Sequence, residues 1–117
     1  MKYTITCLLL VFWLISCENN TPDQTLAAAP LSEQQMVGVL IDIHMAESAL
    51  SIKNYNRDSS LLLFQFYKKE IYANRHITEQ QFQESYAVYA KSSDVMDRMY
   101  AAVIDSLSVR ESGAAGK

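Results

Sequence analysis

The residues best suited to chemistry in this 117-residue chain are His44 and Glu47, spaced as neighbours on one helical turn, with Asp42 just before them. Projected as a helix, Glu47 falls in the middle of the stripe made by Met36, Leu40, Ile43 and Leu50, with His44 beside it at i−3. Asp42 points away, on the side of Gly38 and Ala49. A carboxylate on a core face costs several kcal/mol unless it is paired, hydrogen-bonded or protonated. His44, the hydroxyls of Tyr67, Tyr86, Tyr89 and Tyr100, and Arg98 are the groups able to answer it. One outcome is a pocket with a carboxylate and an imidazole of shifted pKa, suited to acid–base work or to a polar ligand. The other is a satisfied polar cluster that fixes helix register. The second is the commoner arrangement where no nucleophile or cleft is evident.

No metal site and no cofactor are expected. His44 and Glu47 offer two ligands from one helix face, a site needs three or four, and His76 lies in a loop. The sequence has no P-loop, dinucleotide fingerprint, GxSxG elbow or HExxH zinc motif. No catalytic residue is assigned, and the chain reads as non-enzymatic.

A second kind of chemistry is written at the N-terminus. Lys2, an apolar run from Ile5 to Ile15, and then Leu14-Ile15-Ser16-Cys17 have the order of an export signal ending in a cysteine. The run is too short to cross a hydrocarbon core of roughly 30 Å as a helix. The segment resembles the bacterial lipobox: residues 1–16 are expected to be cleaved as a signal peptide and the Cys17 thiol to carry a diacylglyceryl group. Two or more acyl chains, at about 0.8 kcal/mol per buried CH₂, give stable anchoring where one does not. The expected location is the cell envelope, lipid-anchored, at the outer membrane.

Composition narrows the rest. Removing residues 1–16 takes away Lys2 and no acidic residue, so the net charge moves from −3 to −4. Such a balance offers nothing to nucleic acid. Cys7 leaves with the signal and Cys17 is spent on the lipid, so the mature domain has no thiol for a disulfide, a nucleophile or a zinc site.

The elements that must position these groups are helical. Residues 17–30, polar and then alanine-rich between Pro22 and Pro30, read as a lipidated tether with a reach of about 20 Å. Residues 31–111 form the expected domain, an all-α, compact three- to four-helix bundle, and 112–117 a disordered tail. Ser32-Glu33-Gln34-Gln35 and Thr78-Glu79-Gln80-Gln81 are capping boxes, each with an apolar staple pair, Leu31 with Met36 and Ile77 with Phe82. Helices are expected from about Ser32 to Lys53, Ser59 to Asn74, Glu79 to Lys91, and Asp94 to Arg110. Core stripes are Phe64, Tyr67 and Ile71 on the second, Phe82, Tyr86 and Tyr89 on the third, and Met96, Tyr100, Val103 and Leu107 on the fourth. The first helix, apolar almost all round from Met36 to Ala46, is expected at the centre. Leu62 and Phe66 lie opposite the stripe of the second helix. Either the bundle wraps round to bury them, the reading preferred here, or they form an exposed strip for a partner. His76 falls where a helix end requires positive φ.

The lipobox, Leu31-Ser32-Glu33-Gln34-Gln35-Met36, Leu40-Ile41-Asp42-Ile43-His44-Met45-Ala46-Glu47, His76-Ile77-Thr78-Glu79-Gln80-Gln81-Phe82 and Ser85-Tyr86-Ala87-Val88-Tyr89 together resemble the small Bacteroidota lipoproteins filed under domain of unknown function 4296. The match covers roughly residues 31 to 108. Where those relatives commonly carry glycine this chain has His76, and where they often open the last helix with proline it has Ser93. The resemblance implies a small helical envelope lipoprotein, and it carries over no reaction and no catalytic residue. The expected role is an interaction or assembly module with an envelope protein as partner and the membrane engaged through Cys17; homo-oligomerisation is left open. The competing expectation is a polar-ligand binder or hydrolase-like enzyme centred on His44 and Glu47.

Overall fold

The computed structural model describes residues 26–115, so the expected signal peptide, Cys17 and most of the expected tether lie outside the described residues. Four helices follow one another: α1 (Glu33–Ile52), α2 (Arg57–Asn74), α3 (Glu79–Tyr89) and α4 (Ser93–Ala115), with no strand among the described residues. None of these helices is long and apolar enough to cross a membrane.

Local chemistry sets the helix ends. Ser32 Oγ accepts from the Gln35 N–H at 3.2 Å while Gln35 Oε1 accepts from the Ser32 N–H at 2.9 Å. Thr78 and Gln81 repeat the reciprocal pair at 3.1 and 2.9 Å. Both expected capping boxes are therefore formed, each satisfying two backbone donors. Asn56 supplies a third cap, its Oδ1 accepting from the Ser59 N–H at 2.8 Å, and so starts α2 at Arg57 rather than Ser59. At the other end of α2, His76 has φ 55°; its N–H donates to Ala73 O and that of Ile77 to Tyr72 O. This is a Schellman closure with histidine in the left-handed position.

α1 is the central helix, in contact with α2, α3 and α4. Its partners run in different directions. Glu33 meets Arg98 and Met45 meets Arg110, so α4 lies parallel to α1. Asp42 meets Arg75 while Leu50 shares a groove with Leu61 and Phe64, so α2 lies antiparallel. The shorter α3 crosses near the start of α1, where Ser85 and Tyr89 hold Leu31.

The core joins Leu31, Met36, Leu40 and Ile41 to Tyr89, Val95, Met99 and Val103. Fully burying a side chain of this size is worth about 1.5–3 kcal/mol. On α4 the buried line is Val95, Met99 and Val103, while the expected Met96, Tyr100 and Leu107 flank it half-buried. On α2 only Tyr72, against Phe82 of α3, is buried, and Phe64, Tyr67 and Ile71 are half-buried where α1 is the main described helix over that face.

Two boundaries differ from expectation. Leu26 and Ala29 pack against the core, and the Ala29 N–H donates to Leu26 O, so the folded unit begins before Leu31. α4 continues through Gly113 to Ala115, with the Ser112 hydroxyl donating to Ser108 O, where a frayed tail was expected from residue 112. Propagation adds one hydrogen bond per residue to a helix already nucleated, and Glu111, Ala114 and Ala115 favour it enough to carry the helix past Gly113.

Candidate functional site

On α1, His44 and Glu47 pair with each other one turn apart, while Asp42 faces another way and reaches a partner beyond the helix. Asp42 binds the Arg75 guanidinium at the end of α2. That guanidinium lies across Gly38, one turn before Asp42, where an added Cβ would collide with it. Glycine at this position is thus the space in which an arginine from α2 reaches its carboxylate. The wheel placed Asp42 and Gly38 on one side, but nothing in the sequence pointed to Arg75.

Glu47 is not a core carboxylate. Its side chain is 50% exposed, and its Oε2 lies 3.1 Å from His44 Nδ1, on a histidine 38% exposed. The expected stripe is buried at Met36, Leu40 and Leu50 and half-buried at Ile43, and it fails at Glu47, a level that the short α3, crossing near the start of α1, does not cover. Four of the five other groups proposed to answer Glu47 are engaged elsewhere. Tyr86 and Tyr100 join hydroxyls at 3.4 Å, the Tyr89 hydroxyl donates to Leu31 O at 2.7 Å, and Arg98 binds Glu33 through two contacts of 2.7 and 3.1 Å. Glu47 still acts on Tyr100 through space. The Tyr100 hydroxyl is pushed up to about 12 by its hydrogen bond to Tyr86, then by burial, then by the charges of Tyr86 and Glu47.

Glu47 opens instead onto a surface groove of about 480 Å³ between the end of α1 and the start of α2. Leu50, Leu61 and Phe64 form apolar walls, and Tyr55 and Arg57 stand at the rim. Among the described residues neither Ser51 nor Ser60 in this groove has a histidine set against it, since His44 is spent on Glu47. Nor do any three of His, Cys, Asp and Glu converge as a metal site among the described residues. Chemically the groove offers one carboxylate, one guanidinium and apolar walls.

The largest departure from expectation is on α2. Leu62 and Phe66 are 73% and 56% exposed, and Leu61 beside them is 58% exposed. Among the described residues the bundle does not wrap around this helix: α2 packs on α1, and no described helix lies over its outer face.

One polar device was missed by sequence reasoning. Ser85, completely buried, accepts from the Leu31 N–H at 2.9 Å and donates to Gln81 O at 2.7 Å, while Tyr89 one turn later takes the Leu31 carbonyl. Both backbone groups of Leu31 are thereby satisfied by α3. Burial, with a smaller effect of Glu33, raises the Tyr89 hydroxyl above its ordinary value. The available signal was a serine and a tyrosine four apart on a short helix, which reads as easily as ordinary amphipathic patterning.

A family model described as Domain of unknown function (DUF4296) matches residues 28–113, nearly the whole of the four-helix unit. No curated protein and no solved structure matches the chain.

Proposed function

The chain belongs to the DUF4296 family, whose description names no activity, and from the residues themselves we propose that it is a non-enzymatic, lipid-anchored envelope module that docks another protein on the outer face of α2. The observation that carries this reading is the exposure of Leu62 and Phe66, two large apolar side chains one turn apart on a solvent-facing helix. Single exposed apolar residues are ordinary, but two large ones at i and i+4 on one helix face make a strip suited to contact.

Placement fits the same reading. The chain enters the folded unit at Leu26, beside the start of α1, whereas Leu61 and Leu62 stand near the far end of α1, about 30 Å away for twenty residues of helix. A protein held through Cys17 at the outer membrane therefore presents this strip away from its attachment point. The acidic balance leaves nucleic acid out of the account.

Three measurements test it. Mass spectrometry of native material should find acyl groups on an N-terminal Cys17, and Cys17→Ala should release the protein from the membrane fraction. A photoreactive amino acid at position 66 should cross-link a protein in intact cells, while the same probe at exposed Gln83 on α3 should not; equal labelling at both positions would refute the docking face. A second reading, a small-ligand site, is favoured by one observation, the opening of Glu47 onto the groove with Arg57. It gains if His44→Ala and Glu47→Gln leave the fold intact yet abolish a cellular phenotype.

A further inference from the structure

We propose that the occupant of the α2 face is a second copy of this chain, bound as an antiparallel, twofold-symmetric α2 pair. The inference rests on the docking reading above and names the partner that reading leaves open.

Asp58, Leu62, Phe66, Lys69 and Ala73 follow one another at helical spacing along one side of α2, and every one of them is exposed. Phe64, Tyr67 and Ile71, half-buried, occupy the opposite side against α1. The outward stripe thus has the pattern of a seam: two large apolar groups at the middle and an opposite charge toward each end. Neither Asp58 nor Lys69 forms an ion pair with another described residue, whereas Lys68 next door is taken by Glu79 at 3.5 Å.

Symmetry then supplies the test of fit. In an antiparallel pair related by a twofold axis, each flank of a helix meets the same flank of its mate. Setting Leu62 against Phe66 of the second copy places the axis level with Phe64. Asp58 and Lys69 share a flank, and the same axis brings Asp58 opposite Lys69 of the second copy, within about 1.5 Å of register along the helix. One axis therefore satisfies both the apolar and the charged contacts, each twice over. A parallel pair would instead oppose Asp58 to Asp58 and Lys69 to Lys69, and like charges directly opposite repel. A single-helix seam falls at the small end of specific interfaces and associates weakly in dilute solution. Confinement to a membrane surface raises the effective concentration and with it the dimer fraction.

Charge reversal on the full-length chain, extracted in mild detergent and followed by sedimentation over a range of concentrations, decides the matter. Leu62→Glu should raise the dissociation constant at least tenfold with an unchanged circular dichroism spectrum, as befits a side chain already in solvent. Asp58→Lys alone and Lys69→Asp alone should each weaken the homodimer. An equimolar mixture of these two variants should recover association, because each Lys then meets an Asp across the seam. That mixing signature is peculiar to self-pairing in this register. A wild-type chain that stays monomeric, or a dimer indifferent to these three variants, overturns the proposal. If the chain is monomeric but the probe at position 66 captures a different protein, the inference falls while the docking reading stands; if the probe captures nothing, both fall.

Discussion

Replacing Ser85 by alanine is the most informative single perturbation of the fold. Ser85 is completely buried, and its hydroxyl is the acceptor for the Leu31 N–H at 2.9 Å, in a residue itself only 3% exposed. Alanine preserves the helix and nearly the volume, but it leaves that N–H in the interior with no acceptor, at a cost of about 1–3 kcal/mol. The lost bond to Gln81 O adds little, since the Gln81 carbonyl is an ordinary helix acceptor. Ser112 provides the internal control. It makes the same kind of hydroxyl-to-backbone bond four residues back, to Ser108 O at 2.9 Å, on an exposed stretch of α4. The gain in helix propensity from serine to alanine, a few tenths of a kcal/mol, is common to both variants and cancels in the comparison. Ser85→Ala is expected to lose about 2 kcal/mol more than Ser112→Ala. For a domain of this size that separates their melting temperatures by about 8–16 °C. Thermal and urea unfolding followed by circular dichroism provide the measurement. Equal stability of the two variants would show that Leu31 finds another acceptor and that α3 does not clamp the start of α1.

Three further outcomes are expected. Glu47→Gln should change stability by no more than about 0.5 kcal/mol, as for other exposed positions; a loss of about 3–5 kcal/mol, the scale for unpairing a buried charge, would restore Glu47 to the core. Gly38→Ala should stabilise α1 by up to about 1 kcal/mol in an Arg75→Ala background and by less in the wild type, where it displaces the guanidinium from Asp42; a double-mutant cycle reads the difference directly. Tyr100, raised from 10.0 to about 12 in the folded state, favours its protonated form there. Its contribution to stability is thus fully present below pH 10 and is lost as pH rises through 12. Tyr100→Phe should therefore flatten, without abolishing, the fall in melting temperature over that interval, since Tyr72 and Tyr89 are raised as well.

The helical class, the central place of α1, both capping boxes and the left-handed turn at His76 were legible without coordinates. Each depends on residues within one or two turns of each other, where spacing alone dictates contact. Burial of Glu47, Leu62 and Phe66 was misjudged for a single reason: a wheel shows which side chains share a face and is silent on how many neighbours cover it. Here α3 is too short to reach the end of α1, and among the described residues no helix lies over the outside of α2.

What the sequence determined alone was local. It set where α1 and α3 start, through side-chain caps within three residues, where α2 ends, and which stripe of each helix is apolar. It also contains the export-like segment before Cys17, whose expected cleavage and lipidation are matters of chemistry rather than packing. Tertiary structure decided the rest: Arg75 crossing Gly38 to Asp42, Ser85 and Tyr89 gripping Leu31, and Glu47 facing a groove. These contacts join residues 33 to 58 positions apart, and only the relative placement of whole helices, a cooperative property of the packed core, brings such pairs within hydrogen-bonding distance.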